Sequence, residues 1–399
     1  MSRLLVVHPG SQFSTGDVYR GITAGLKAAG VEVGSYALTD RIEAASEWVK
    51  LLQRRIRRRD PSRPLMSKDE RMQRIFDEAA KDVLAMALDN DVAGVLIVSA
   101  MFIPGQTLWR LRRAGIPVGL LLTECPYDDE RHMQIAPLAD VVWANERTSV
   151  ARLRTVQPNT HYLAAAYDPA MHTAEPQPGD EEMAAHDVVF VGTAFRERLD
   201  LLAAVDWTGI DLGLYGNFQA GVGGHRADAR CRRILDPHIR GGLVTNAQAG
   251  ALYRRAKIGL NLYRTSIDFR GKQHVVGAES LNPRAYELAA VGCCQVTDWR
   301  AEVSEVFGSG VLAFGGPPTR WEHTDAAGNT SVVDVARPAL ADDLSRIVRH
   351  LLTQDFWRNV AAMTAIDAIQ SHTFTARARQ MMTDWPEVLA PEGVLAAYG

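Results

Sequence analysis

The chain is 399 residues long, 47% hydrophobic, and carries a formal net charge of −3 at pH 7. This is enough apolar material for two domains with separate cores, and the charge balance excludes a uniformly basic nucleic-acid binder while leaving room for a local basic patch. Cys125, Cys231, Cys293 and Cys294 show no metal-ligand spacing and read as buried free thiols, which favours a reducing cytoplasm. The N-terminus runs straight into a strand without signal-peptide character, and no apolar run approaches the roughly 18 residues of a membrane span.

The first half alternates apolar runs with helical patterns. Residues 4–8, 31–38, 92–99, 118–123 and 141–144 predict buried strands, and 15–29, 68–88, 106–114 and 146–155 predict the helices between them. Such alternation predicts a parallel sheet with right-handed crossovers. Residues 50–74 interrupt it with ten Lys/Arg against three acids, Arg54, Arg55, Arg57, Arg58 and Arg59 among them. That run is either a solvated face or an arm for a polyanion.

A Pro/Gly-rich polar stretch reads as a linker over 174–186, dividing an N-terminal domain, 1–173, from a second domain, 187–375. The alternation resumes there, with strands at 188–192, 212–215, 258–262, 293–297 and 311–314. Helices are expected at 199–205, 247–256, 283–290 and 340–352, and a helical tail, 376–399, is expected to pack on the N-terminal domain. In open α/β sheets ligands sit beyond the carboxyl ends of the strands, so polar residues at those ends are the site candidates.

On the second domain, Glu279 and Glu287 stand eight apart, flanking Asn282 and Arg284 in a loop that leads into a helix and a glycine turn. Backbone N–H groups at such a helix start suit phosphate. A carboxylate one or two turns in can accept both ribose hydroxyls, which makes Glu287 the leading candidate, with a helix-surface residue as the alternative. Gly192 and Thr193 end a strand before Arg196 and Arg198, which could neutralise a diphosphate or lie solvated. Gly216 and Asn217 end another strand, and Asn261 lies near the end of a third. Lys272 falls in a polar insert.

On the first domain, the loop after the first strand holds His8, Ser14, Thr15, Gly16 and Asp17, and Glu124 follows the strand 118–123. Glu124, Asp17 and His8 are candidate general bases, in that order. Asp17 could instead start a helix. Asp168 and His172 fit either a ligand contact or a turn. There is no DxD metal motif at a strand end; Asp128 and Asp129 lack its spacing.

These motifs resemble the donor half of GT-B glycosyltransferases, whose group-1 members carry Glu-x7-Glu before an Ala-x-Gly turn. A closer likeness is to the CgeB-like (spore-maturation-protein) branch. Asn282, Arg284 and Glu287 match its Asn-x-Arg-x-x-Glu core. Similar elements are Phe190-Val191-Gly192, Tyr253 to Asn261, Tyr167-Asp168-Pro169 to His172, and His372-Thr373 to Arg377. The resemblance implies an α/β GT-B fold: two Rossmann-like domains facing across a cleft, with the C-terminal helix crossing back. It implies a nucleoside-diphosphate sugar donor, UDP-sugar favoured, no further cofactor and no metal. Glu279 would lie on the donor sugar. From the residues themselves, the loop of Ser14, Thr15 and Gly16 is expected to face an acceptor hydroxyl, and the charge of the arginine run suits a macromolecular acceptor such as hydroxylated-base DNA or a protein. A sugar-nucleotide epimerase of the same fold, or a silent glycan- or nucleic-acid-binding module, are the alternatives. The basic segment departs from the family pattern.

Overall fold

The computed structural model describes residues 3–10, 15–218, 229–265, 278–316, 320–324, 330–334 and 340–389. Ser14, Lys272 and the end of the expected tail, 390–399, lie outside the described residues.

The chain divides into two compact units, Met1–Ala164 with Phe374–Gly399, and Ala165–Thr373. In the first, β1 (Arg3–His8), α1 (Gly16–Ala28), β2 (Glu32–Ala37), α2 (Thr39–Arg59), α3 (Lys68–Ala79), α4 (Val83–Asp89), β3 (Gly94–Val98), α5 (Gly105–Arg113), β4 (Val118–Leu122), α6 (Asp129–Ile135), β5 (Val141–Ala144), α7 (Arg147–Leu153) and β6 (Thr160–Tyr162) follow in order. All neighbouring strands pair in parallel, in the order β2-β1-β3-β4-β5-β6. Strands β3, β4 and β5 are buried throughout. That explains their unbroken Val/Leu/Ile runs, since helices cover both faces of a parallel sheet. The expected single helix over 68–88 is two, α3 and α4, broken at residues 80–82.

The second unit contains β7 (Val188–Thr193), α8 (Arg196–Ala204), β8 (Leu212–Asn217), α9 (Ala229–Leu235), β9 (Ile239–Gly241), α10 (Asn246–Arg255), β10 (Ile258–Asn261), α11 (Pro283–Ala290), β11 (Gln295–Asp298), α12 (Ala301–Phe307), β12 (Val311–Phe314), the hairpin β13 (Arg320–Thr324) and β14 (Thr330–Asp334), α13 (Leu340–Leu352) and α14 (Asp355–Ala368). Its main sheet is also parallel, in the order β12-β11-β10-β7-β8-β9. Counted from its own first strand this is 3-2-1-4-5-6, the dinucleotide-binding Rossmann order, with its switch point between β7 and β10. The first sheet follows the flavodoxin-like order 2-1-3-4-5, with its switch point between β1 and β3.

The chain passes from the first unit to the second at residue 165, and 174–186 is not a linker. Asp180 takes two 2.7 Å bonds from the Arg254 guanidinium of α10. His186 lies between Asp211 (2.8 Å) and the Tyr215 hydroxyl (2.9 Å). The prolines and glycine there shape a turn held by these contacts.

The last helices, α15 (Phe374–Asp384) and α16 (Pro386–Leu389), belong to the first unit. α15 lies on α1 where Gly21 and Gly25 leave room: a Cβ at Gly21 would stand 2.1 Å from the Phe374 ring, and one at Gly25 2.8 Å from the Ala378 Cβ. Trp385 is fully buried against Trp143, whose indole N–H donates to Asp384 at 2.9 Å. Among the described residues no helix is long and apolar enough to cross a membrane.

Candidate functional site

Around the switch point of the second sheet, polar residues converge and hold one another. Asn261 ends β10 with 1% exposure, and its side chain exchanges amide hydrogen bonds with Asn282 at 3.1 and 2.9 Å. Asn282 also caps α11, its Oδ1 accepting the Ala285 N–H at 3.0 Å, with Pro283 at the first helical position. Asn282, expected as a donor ligand, is thus occupied in fixing the start of α11 beside the end of β10. The loop ahead of it is pinned from beneath. Leu281 N–H donates to Glu302 at 2.7 Å, Arg300 donates to the Ala278 carbonyl, and Glu302 N–H donates to the Glu279 carbonyl at 3.1 Å.

Glu287 lies in the second turn of α11, 9% exposed, and pairs with Arg284 at 2.8 Å. The Arg284 guanidinium stands 5.2 Å from the centre of the Tyr253 ring, and the Tyr253 hydroxyl reaches the Val191 carbonyl of β7 at 3.5 Å. Burial pushes the Tyr253 pKa up to about 12, so it remains a neutral packing group. Tyr253 therefore connects Arg284 and Glu287 to the end of β7.

At that end, Gly192 and Thr193 run beside Gly216 and Asn217 of β8. Gly216 has φ +117°, and a Cβ there would stand 2.1 Å from the Gly192 carbonyl oxygen, so only glycine permits the approach. Arg198 is turned inward. It donates to the Thr193 carbonyl at 2.9 Å and packs over Phe190 and Phe195, which gives it a structural task in place of the expected diphosphate contact. Arg196 pairs with Asp200 at 2.9 Å along α8. Arg264, not singled out from the sequence, follows β10 and stands 4.7 Å from the Phe195 ring centre. The next residue, Thr265, donates its N–H to Glu197 at 2.9 Å. The only signal for Arg264 in the sequence was its place three residues after Asn261.

The first sheet presents the opposite arrangement at its carboxyl edge. Four adjacent strands, β1, β3, β4 and β5, end in or lead directly into His8, Ser99, Thr123 and Asn145. Each contributes a buried polar atom without a hydrogen-bond partner among the described residues: His8 Nδ1, Ser99 Oγ, Thr123 Oγ1 and Asn145 Oδ1. Thr15 Oγ1, at the start of α1, is another. Buried polar groups are nearly always paired, so such a row at a switch point marks a place for a polar ligand. Ser99 also holds φ +55°, a strained conformation for a residue with a Cβ. Ser99, Thr123 and Asn145 escaped sequence reading because a lone Ser, Thr or Asn after a strand is ordinary turn chemistry.

His8 stacks on Tyr19 with ring centres 3.5 Å apart, and its Nε2 lies 3.0 Å from Ser35 Oγ. Burial lowers its pKa to about 4, against a smaller opposing effect of Asp40, so the imidazole is neutral near pH 7. Asp17 pairs with Arg20 within α1 and is an acid of the helix's first turn, not a side chain held ready as a base. Gly16 is the first residue of that helix. Glu124 is half-buried, its carbonyl accepting the N–H groups of Tyr127 and Asp128. Asp168 and His172 form a turn, with Ala170 N–H on the Asp168 carboxylate and His172 N–H on the Asp168 carbonyl.

Cys125 does take part in a cluster of metal-ligating types, contrary to the spacing argument. Its Sγ lies 3.4 Å from His132 Nδ1, which is 3.8 Å from Asp129 Oδ1, and all three residues are buried. The Asp129 carboxylate is already met by Ser149 (2.9 and 2.8 Å) and Arg152 (3.2 Å), and burial with Asp129 beside it pushes the thiol well up. The Asp129 carboxylate is thus already engaged within the protein. Arg54, Arg55, Arg57, Arg58 and Arg59 occupy the exposed last turns of α2.

Residues 196–383 match the family model described as glycosyl transferase-like. The matched stretch includes Asn261, Asn282, Arg284 and Glu287 and covers less than half of the chain. No curated protein matches by sequence. Among solved structures, sucrose-phosphate synthase from Thermosynechococcus elongatus aligns with a TM-score of 0.63 at 14% identity, over 98% of this chain and 100% of that one. A UDP-forming α,α-trehalose-phosphate synthase from Burkholderia xenovorans aligns at 0.60 and 15% identity, over 98% and 100%. A candidate UDP-N-acetylglucosamine 2-epimerase from Listeria monocytogenes aligns at 0.53 and 9% identity, over 96% and 94%. These likenesses establish the fold: two Rossmann-like units of the GT-B kind, with the C-terminal helix returned to the first.

Proposed function

We propose that this protein is a glycosyltransferase that moves a sugar from a nucleoside-diphosphate sugar to a hydroxyl, with the donor on the second unit and the acceptor on the first. The observation that carries the reading is the group at the β7–β10 switch point, where Asn261 and Asn282 lock the start of α11 and present Arg284 and Glu287 one turn apart. Glu287 would accept the two ribose hydroxyls. The Arg284 side chain and the Gly192–Thr193 turn would take the diphosphate. As the bond between the sugar's anomeric carbon and the diphosphate oxygen breaks, its electron pair goes to the diphosphate, and cationic groups stabilise that charge. The acceptor oxygen bonds to the same carbon and gives its proton to a base, for which neutral His8 and the half-buried Glu124 are the candidates.

A UDP-sugar is favoured because the structural neighbours include a UDP-forming synthase. The motif resemblance supports the CgeB-like branch, with a cytoplasmic protein working without metal as the accompanying expectation. The test is a panel of nucleoside-diphosphate sugars, assayed for free nucleotide with and without hydroxyl acceptors, in EDTA and in added Mn²⁺. Acceptor-dependent release that survives EDTA is the expected result, and loss restored only by Mn²⁺ would end the metal-free reading. The likeness to a candidate epimerase supports the second reading. Donor isomerised without any acceptor would establish it.

A further inference from the structure

The basic segment lies on a helical hairpin with a small core of its own within the first unit. α2 and α3 pack as a hairpin around Ala45, Val49, Ile75 and Ala79, with Ile42, Met72 and Phe76 alongside. The Tyr36 hydroxyl ties α3 to the sheet through the Ala79 carbonyl at 2.7 Å, and Arg74 lies over the Trp48 ring. A reciprocal Ser67–Glu70 capping box fixes the start of α3. The acids of α2, Asp40, Glu43 and Glu47, sit in its first half, whereas residues 50–63 carry seven Lys/Arg and one acid. All of residues 57–65 are exposed. Among the described residues none of Arg54, Arg55, Arg57, Arg58 and Arg59 forms an ion pair.

We infer that the end of α2 is a docking surface for the sugar–phosphate backbone of double-stranded DNA. Six of the seven cations are arginines, whose planar forks suit phosphate oxygens. On a helix of 3.6 residues per turn the five arginines from 54 to 59 spread over an arc of roughly 200°. A flat anionic membrane would use one narrow stripe with an apolar stripe beside it. A groove with phosphates on both walls uses both flanks of a helix, and the B-DNA major groove, about 12 Å wide, admits one helix. Arg57 and Arg63 line a cavity of about 250 Å³ at the same end, together with Ile56, Leu65, Met66 and Glu70. This inference stands apart from the transferase reading, because it needs no donor and no turnover.

The test is fluorescence anisotropy of a labelled 24-base-pair duplex of arbitrary sequence, titrated with the full chain at 50 and 200 mM salt. Wild type should bind, with a log K against log salt slope of about −4 to −5 if all five arginines meet phosphate. Replacing Arg54, Arg55, Arg57, Arg58 and Arg59 by serine should weaken binding at least 30-fold at 50 mM salt and bring the slope near zero. The melting temperature should hold, since the five side chains are exposed. A single Arg58→Ser should reduce the slope by about one. No binding by wild type, or an equal slope in the five-fold variant, would overturn the inference. So would arginine-dependent binding to phosphatidylglycerol vesicles with none to the duplex. UDP affinity, measured in parallel, should be unchanged in the variant, so that a failure here is distinguishable from a failure of the donor site.

Discussion

The two switch points solve the same problem in opposite ways. Around the β7–β10 junction several polar side chains hold one another, Asn261 with Asn282, Arg284 with Glu287 and Arg198 with the Thr193 carbonyl, while the buried Tyr263 hydroxyl just after β10 has no partner among the described residues. At the β1–β3 junction and its neighbours, the buried His8 and Ser99 and the partly buried Thr123 and Asn145 each keep a buried polar atom without a partner among the described residues. A partnered site is preorganised, so binding costs little ordering. A site of orphaned groups forfeits roughly 1–3 kcal/mol for each buried polar atom until a ligand supplies the missing bond. The first arrangement suits a constant, highly charged molecule. Under the proposed transferase reading, the second would receive the hydroxyl-bearing acceptor through hydrogen bonds.

The contrast can be broken most sharply at Arg284. If it carries departing charge, Arg284→Ala should reduce single-turnover rates about 100-fold while donor affinity changes far less. Equal losses in rate and affinity would make Arg284 a binding group only. Glu287→Ala should weaken binding of the cognate diphosphate by about 1.5–3 kcal/mol in calorimetry, since a charged acceptor is lost. Undiminished affinity in a folded variant would remove Glu287 from the site.

The first unit answers to pH. His8 is lowered to about 4 in the folded chain, from 6.5, so the unfolded chain binds the additional proton between those values. Its contribution to stability is complete above pH 6.5 and is lost as pH falls toward 4, by up to about 1.4 kcal/mol per pH unit. Urea unfolding at pH 7.5 and 5 should show this loss in wild type and a smaller one in His8→Gln. Parallel pH dependences would mean that His8 is not the titrating group.

The smallest effect discriminates best between the two regions. Thr123→Val keeps the shape and removes an unpartnered hydroxyl, so the urea midpoint should stay level or rise, by at most about 1 kcal/mol. The acceptor KM should rise while UDP affinity holds. A clear loss of stability would show that the hydroxyl is satisfied in solution and that the row of orphans is no ligand edge.

Much of the fold was legible because the strands are fully buried and leave unbroken apolar runs, as in residues 94–98 and 118–122. The helix break at residues 80–82 was not legible, since Ala79-Ala80-Lys81-Asp82 contains nothing that forbids a helix. The boundary was misplaced for a related reason. Pro176, Pro178 and Gly179 announce a turn but not what holds it, and Arg254 lies 74 residues beyond its partner Asp180. The sequence left Arg198 open between a diphosphate contact and a solvated side chain, because the direction an arginine turns depends on its packing, here over Phe190 and Phe195.

By itself, the sequence determined the strand–helix alternation, the tail helix and the Asn282–Arg284–Glu287 spacing, all consequences of local chemistry: apolar periodicity, a capping residue, one turn of helix. Only the tertiary structure decided which strands are neighbours. Strand order brings Asn261 to Asn282 and aligns four strand ends, spread from residue 8 to residue 145, along one buried edge. Pairing between distant segments depends on the packing of the whole sheet, and no local residue pattern encodes it.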